Sequence, residues 1–173
     1  ALSDGFFELN QSDKSMTFIS NPESHILGNR FNDGTVDMKG RFYAGTMAIN
    51  GSYKNSKPRG SLYCLDRFGK VSKTMEGFYT INGLAFSPDC KTAYISDSAP
   101  WIRTIWAYDY NLEEGDWSNK RVFFNTKDIP GRPDGGCVDA EGCYWMAGVS
   151  GWEIVRLSPK GKIDMIIKMP IEK

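Results

Sequence analysis

One pattern recurs three times along this chain. A polar residue followed by glycine leads into an apolar strand, a polar turn and a second strand rich in aromatics. The copies are NDGTVDMKGRFYAGT from Asn32, INGLAFSPDCKTAYISDS from Ile81 and PDGGCVDAEGCYWMAG from Pro133. Aligning Asp33-Gly34, Asn82-Gly83 and Asp134-Gly135 gives spacings of 82 − 33 = 49 and 134 − 82 = 52 residues. The segments that follow repeat as well: GSLYCLDRFGKV, TIWAYDYNLEEGDW and EIVRLSPKGKIDMI each read as a strand, a tight turn and an outer strand. Four antiparallel strands in a unit of about 50 residues is the signature of a propeller blade, and four to eight blades normally close a ring. The expected fold is therefore an all-β propeller, with repeat units at 32–80, 81–132 and 133–173. No stretch holds a helical period, which excludes a solenoid of helix pairs.

Strand parity locates a functional face. If each Asx-Gly pair is a turn where the chain enters an innermost strand, the first hairpins reverse on the far face at Met38 to Gly40, Pro88 to Lys91 and Ala140 to Gly142. The next connections, Met47 to Arg59, Ser98 to Arg103 and Val149 to Trp152, then lie beside the Asx-Gly pairs. Asn32 or Asp33, Asn82 and Asp134 are expected to converge on the central channel. Taken singly, Asn or Asp before Gly is an ordinary turn residue that bonds its own backbone. Three at equivalent positions point instead to a binding site made of amide and carboxylate oxygens. Such hard donors suit Ca²⁺, Mg²⁺ or Mn²⁺, with Zn²⁺ possible through carboxylate.

Composition removes competing chemistries. The chain carries 21 Lys+Arg against 21 Asp+Glu, so it has no charge footprint for nucleic acid or an anionic membrane, and neither is an expected partner. No apolar run approaches the roughly 18 residues of a membrane span, no signal segment opens the chain, and the cytoplasm is the expected compartment. The four cysteines, Cys64, Cys90, Cys137 and Cys143, have no C-x-x-C spacing and read as buried reduced thiols. The single histidine, His25, cannot build a multi-His metal site and reads as a loop residue. Catalysis has to come from carboxylates, amides or an oxygen-held metal.

At these residues the sequence becomes recognisable. NRFNDGTVDMKGRFYAGTM, GSLYCLDRFGKV, NGLAFSPDCKTAYISDS, AYDYN and PDGGCVDAEGCYWMA, in that order, together resemble the regucalcin, senescence-marker-protein and gluconolactonase family. The resemblance implies a six-bladed propeller with one divalent metal in its channel, Ca²⁺ first among the candidates, that hydrolyses sugar lactones. It also leaves room for a noncatalytic calcium-binding or protein-binding propeller. Carried over by position, Asn82 and Asp134 match metal ligands, Asn32 matches a residue at metal and substrate, and Arg30 matches a substrate-contacting arginine. Asp33 is left as a turn residue. Asp134, the only carboxylate of the matched three, is the expected base for the attacking water, or else a ligand only. Trp101, in SAPWIR, is either a wall over the substrate or packed on its own blade.

The family pattern also has gaps here. Its early G-E-G-P-x-W-type motif, which supplies a glutamate ligand, is missing, since neither Glu8 nor Glu23 has that context. The glutamate that often precedes the GSLY strand is replaced by NSKPRG. At about 50 residues per blade, 173 residues supply three to four blades. The expectation is one partial propeller over 1–173, truncated at both ends, whose open edge strands favour self-association.

Overall fold

The hairpins of this chain are set by one short device. Asp37, Asp66 and Asp139 each place Oδ1 against the backbone N–H groups two and four residues on, at 2.8 to 3.0 Å. A glycine with positive φ follows three residues after each: Gly40, Gly69 and Gly142. The carboxylate satisfies two amides that the reversal would otherwise orphan, so D-x-x-G-x reads directly as a turn. Between them the apolar residues alternate, and the intervening segments pair as antiparallel strands.

The computed structural model describes residues 1–51 and 55–171. A hairpin of β1 (Phe6–Leu9) and β2 (Met16–Ser20) precedes three four-stranded sheets. The first runs β3 (Asn29–Val36), β4 (Phe42–Ala48), β5 (Gly60–Leu65), β6 (Val71–Phe78). The second runs β7 (Ile81–Phe86), β8 (Thr92–Asp97), β9 (Thr104–Asn111), β10 (Asp116–Asn125). The third runs β11 (Arg132–Val138), β12 (Tyr144–Val149), β13 (Glu153–Leu157), β14 (Ile163–Lys168). Each is a simple antiparallel meander, and among the described residues the one short helix is a 3₁₀ turn at Thr126–Asp128. The chain is all-β with the sheet architecture of propeller blades. Within the expected connection 47–59, residues 52–54 lie outside the described residues, as do 172–173 of the third repeat unit.

The sheets stack because alternate residues of a strand serve different cores. On β4, Tyr43 joins a cluster with Leu84, Ile95 and Tyr108 of the second sheet, while its neighbour Ala44 joins Phe6, Phe31 and Tyr63. On β8, Ala93 and Ile95 face the first sheet, and Tyr94 packs with Tyr144, Met146 and Val155 of the third. Fully burying one such side chain is worth about 1.5–3 kcal/mol. A strand buried on both faces is possible only when sheets lie on both sides of it. The innermost strands β3, β7 and β11 are consequently neighbours in sequence order, and the outer strands β6, β10 and β14 are largely exposed.

Three cysteines are buried and all four are free, but Cys137 on β11 is exposed, against the expectation of four buried thiols. Strict alternation on a strand next to a backbone bulge carries it outward. Glu23 is buried and accepts from Thr46 Oγ1, Tyr63 Oη and Asn29 Nδ2, so it is a packing residue of the first sheet. Among the described residues no helix is long and apolar enough to cross a membrane.

Candidate functional site

The Asx-Gly pairs are not turns at strand entry. Each lies inside an innermost strand, at or beside a β-bulge. In β3, Phe31 pairs with Thr46 but Gly34 with Ala44; in β7, Asn82 pairs with Ser96 but Ala85 with Tyr94; in β11, Pro133 pairs with Gly148 but Gly136 with Met146. Two residues are crossed on the partner for three on the inner strand in every case. One extra residue breaks the alternation and re-aims the side chains around it. Counted by these bulges the repeat is regular, 82 − 31 = 51 and 133 − 82 = 51, whereas the Asx-Gly pairs, at 49 and 52, depart from it by two residues and by one.

The bulges bring side chains from three sheets into one hydrogen-bonded chain. Arg30 Nη1 donates to Asn32 Oδ1 at 3.1 Å, and Asn32 Nδ2 donates to Asn82 Oδ1 at 3.0 Å and to the Ile81 carbonyl at 2.9 Å. Asn82 Nδ2 donates to Ser98 Oγ at 2.7 Å, whose own hydroxyl donates to the Pro133 carbonyl. Arg132 Nη1 closes the row on the Ser98 carbonyl at 3.0 Å. Because Ser98 spends its proton on Pro133, it can only accept from Asn82. That fixes the Asn82 amide with its oxygen turned toward Asn32, and one lone pair of that oxygen remains open. Asp97, the last residue of β8, holds the Ser98 loop in place by accepting from the N–H groups of Tyr79, Thr80 and Ala99 at 2.8 to 3.1 Å. Burial raises its carboxyl above the ordinary range, against the pull of those three amides.

Asp134 lies in the β11 bulge, half-buried, with its backbone carbonyl 3.1 Å from the point where a Cβ on Gly83 would stand. Among the described residues its carboxylate accepts no hydrogen bond and has no ion-pair partner. Asp33 faces the same region. Its Oδ1 accepts from Gly34 N–H at 2.8 Å and its Oδ2 from Leu84 N–H at 3.1 Å, which ties β3 to β7. Burial raises the Asp33 carboxyl, the amides oppose the rise, and the nearby Asp134 charge adds to it. Asp33 is thus an inter-sheet tie beside the site rather than a local turn residue. Tyr144, fully buried, reaches across from β12 and donates to the Gly83 carbonyl at 2.7 Å. Gly83 has φ +61° and leaves no room for a Cβ, which would meet Tyr144 Oη at 2.2 Å.

Two half-buried carboxylates close enough for the Asp134 charge to act on Asp33, with an oriented amide oxygen at Asn82, make a donor set suited to a hard divalent cation. Asn82 Oδ1 is oriented by its neighbours, and Asn32 Oδ1 already receives the Arg30 guanidinium. A second group of ligand-type side chains, Asp139, Glu141 and Cys143, lies on the far face. Arg156 sits in it with ion pairs to Asp139, Glu141 and Asp164, so its carboxylates already share a guanidinium. Trp101 packs edge-on against Tyr79, ring centroids 5.1 Å apart, at the junction of β6 and β7. The larger cavities lie elsewhere: one of about 690 Å³ lies among Lys39, Arg41, Arg67 and Glu113 on the far face, and one of about 450 Å³ beside Gly28, Ala48, Lys57 and Arg59.

Asp33, Ser98 and Arg132 were not singled out by sequence as site residues. The 51-residue bulge repeat was the signal for Arg132, since it stands where Arg30 stands, two residues before the bulge Asx. Nothing local marks Ser98, whose role comes from a contact between sheets.

Comparison with known proteins agrees with this architecture. The model of the SMP-30/Gluconolactonase/LRE-like region matches residues 1–173. Regucalcin of Xenopus laevis is 37% identical over 180 residues, covering 100% of this chain and 58% of the relative. A luciferin-regenerating enzyme superposes with a TM-score of 0.90 at 33% identity, covering 99% of this chain and 58% of that one. A calcium-binding protein, regucalcin, from Agrobacterium tumefaciens superposes with a TM-score of 0.88 at 28% identity, over 99% and 56% of the two chains. The chain spans somewhat more than half the length of the relatives it matches.

Proposed function

The chain belongs to the SMP-30/gluconolactonase/LRE-like family, and from that membership we propose that it carries the reaction face of a divalent-metal-dependent lactonase acting on sugar lactones. The observation that carries this reading is the Asp134 carboxylate, half-buried, without a partner among the described residues and acting on the Asp33 carboxyl, in the same bulge region as the oriented Asn82 oxygen. Removing one carboxylate from bulk water without a partner is costly, and two together more so. A cation resolves that repulsion; hard oxygen donors suit Ca²⁺, Mg²⁺ or Mn²⁺, and the similarity to a calcium-binding regucalcin puts Ca²⁺ first.

Asn82 and Asp134 would hold the ion, with Asn32 beside them. When bound, a divalent cation polarises the ester carbonyl and makes water more acidic. The residues of the chain supply the rest. Asp134 takes the proton of the attacking water, whose oxygen bonds to the lactone carbonyl carbon. The tetrahedral oxyanion collapses, the bond to the ring oxygen breaks, and that oxygen takes up a proton to become the hydroxyl of the open hydroxy acid. Arg30 and Asn32 orient the sugar hydroxyls, since Asn32 is itself fixed by three hydrogen bonds. Asn82 does not titrate near neutrality and works by coordination and orientation.

The same oxygen donors support a second reading, a calcium-binding propeller without catalysis, because the coordination does not require turnover. Acid release from gluconolactone by the full-length protein, with and without chelator, separates the two. Chelator-sensitive turnover that is lost in a folded Asp134→Ala variant supports the lactonase. A folded parent that binds Ca²⁺ but opens no lactone with any divalent metal leaves the second reading.

A further inference from the structure

We infer that Arg132 is a second anion-binding arm of this site and that the lactones it prefers carry a carboxylate remote from the ring ester. The substrate class rests on the lactone reading; the anion preference does not.

The first observation is position. Arg30, Ile81 and Arg132 occupy one place in the bulge repeat, at 81 − 30 = 51 and 132 − 81 = 51 residues, so β3 and β11 each present an arginine on either side of β7. Both arginines end the hydrogen-bonded row that passes through Asn82. They bracket the proposed reaction centre from its two flanks.

The second is charge. Arg41, Arg121 and Arg156 are each neutralised by a carboxylate, at 2.6 Å from Asp37, 2.7 Å from Asp109 and 2.8 Å from Asp139. Arg30 and Arg132 are half-buried and have no carboxylate partner among the described residues. Arg132 uses Nη1 on the Ser98 carbonyl and Nη2, at a long 3.4 Å, on Ser150 Oγ, which leaves the other N–H groups of its fork free. A guanidinium partly withdrawn from water with open donors is matched by a carboxylate, which takes two parallel bonds from it.

The third is the rim. The described connections on this face carry Lys57, Arg59, Arg103 and Lys127 against Asp128. The negative groups of the site, Asp33 and Asp134, sit lower, in the bulges. The face therefore pairs an acidic floor suited to a cation with a basic rim suited to an anion. A neutral sugar lactone leaves Arg132 without an anion to bind. A lactone of a dicarboxylic sugar acid uses both.

The test measures binding of glucarate, gluconate and glucitol to the full-length protein with Ca²⁺ by calorimetry, alongside turnover of glucarolactone and gluconolactone. These differ by a terminal carboxylate in place of a hydroxymethyl group. The parent is expected to bind glucarate about tenfold or more tighter than gluconate, the weight of a charge-assisted hydrogen bond. Arg132→Gln is expected to abolish that preference and lower the glucarolactone-to-gluconolactone turnover ratio by the same factor, Arg132→Lys to retain part of both, and added salt to narrow the gap in the parent. Equal binding of the two acids by the parent, or an undiminished preference in Arg132→Gln, overturns the inference. If Arg132→Gln does not fold, Arg132→Lys and the salt dependence decide alone. Glucarate preference without turnover of either lactone refutes the lactonase and leaves the anion arm standing.

Discussion

The side-chain amide of Asn32 on β3 donates to the side-chain oxygen of Asn82 on β7 at 3.0 Å, across the boundary between two sheets. Neither residue is placed by its own hairpin alone. The contact exists because a bulge in each inner strand turns the Asx side chain toward the next sheet. Function and inter-sheet register are therefore built from the same bonds.

Ser98 tests this coupling without touching a proposed ligand atom. In Ser98→Ala the Asn82 amide loses its acceptor and the Pro133 carbonyl its donor, so only the bond from Asn32 is left to orient the amide. Loss of such an outer partner typically costs ten- to a hundredfold in metal affinity. Calcium titration of the variant is expected to give a loss of about that size. Stability in urea should fall by only about 1–3 kcal/mol.

The Gly83–Tyr144 contact predicts a non-additive pair. Tyr144→Phe removes one buried hydrogen bond to the Gly83 carbonyl and should cost about 1–2 kcal/mol. Gly83→Ala should cost more, since the new Cβ meets Tyr144 Oη at 2.2 Å and φ +61° is strained for alanine. In the double variant the hydroxyl that clashes is gone. Its total cost in a urea double-mutant cycle should be smaller than the sum of the two single costs.

How far the sequence was legible follows from the range of each interaction. The D-x-x-G-x turns act over four residues, and Asp37, Asp66 and Asp139 announce their hairpins directly. Alternation acts over two residues, and the sheets it forms are the expected all-β blades. The Asx-Gly pairs were misleading because the same chemistry serves a turn and a bulge, and only the neighbouring strand distinguishes them. Asp33 was passed over for the same reason: its second carboxylate oxygen is bonded to an amide 51 residues away. Aligning on Asx-Gly also spaced Asp33 and Asp134 by 134 − 33 = 101 residues where the bulge repeat takes 133 − 31 = 102, and so concealed the match of Arg30 with Arg132.

On the far face, Asp139 gives a pH signature separate from the site. Burial works to raise its carboxyl, but bonds from Trp145 Nε1 and the Arg156 guanidinium prevail and hold it down at about 2. A lowered folded value means its stabilisation is present above the unfolded value of about 4 and is lost as pH falls through about 2. Urea midpoints measured between these limits should decline with acid in the parent. In Asp139→Asn that part of the decline should be absent.

A cation held by Asn82 and Asp134 binds the folded chain and not the unfolded one, so it must stabilise the fold. At a free concentration a hundred times the dissociation constant the gain is about 2.7 kcal/mol, enough to raise the melting temperature by several degrees. Calcium is expected to produce that rise in the full-length parent, and Asp134→Asn to remove it. Glu141→Gln is the matching control, since Glu141 belongs to the other cluster of ligand-type side chains, where it shares Arg156 with Asp139 and Asp164. A rise that survives Asp134→Asn and disappears in Glu141→Gln would place the ion on the far face. It would also take the reaction proposed for Asp134 with it, because a half-buried carboxylate with no cation beside it has no activated water from which to accept a proton.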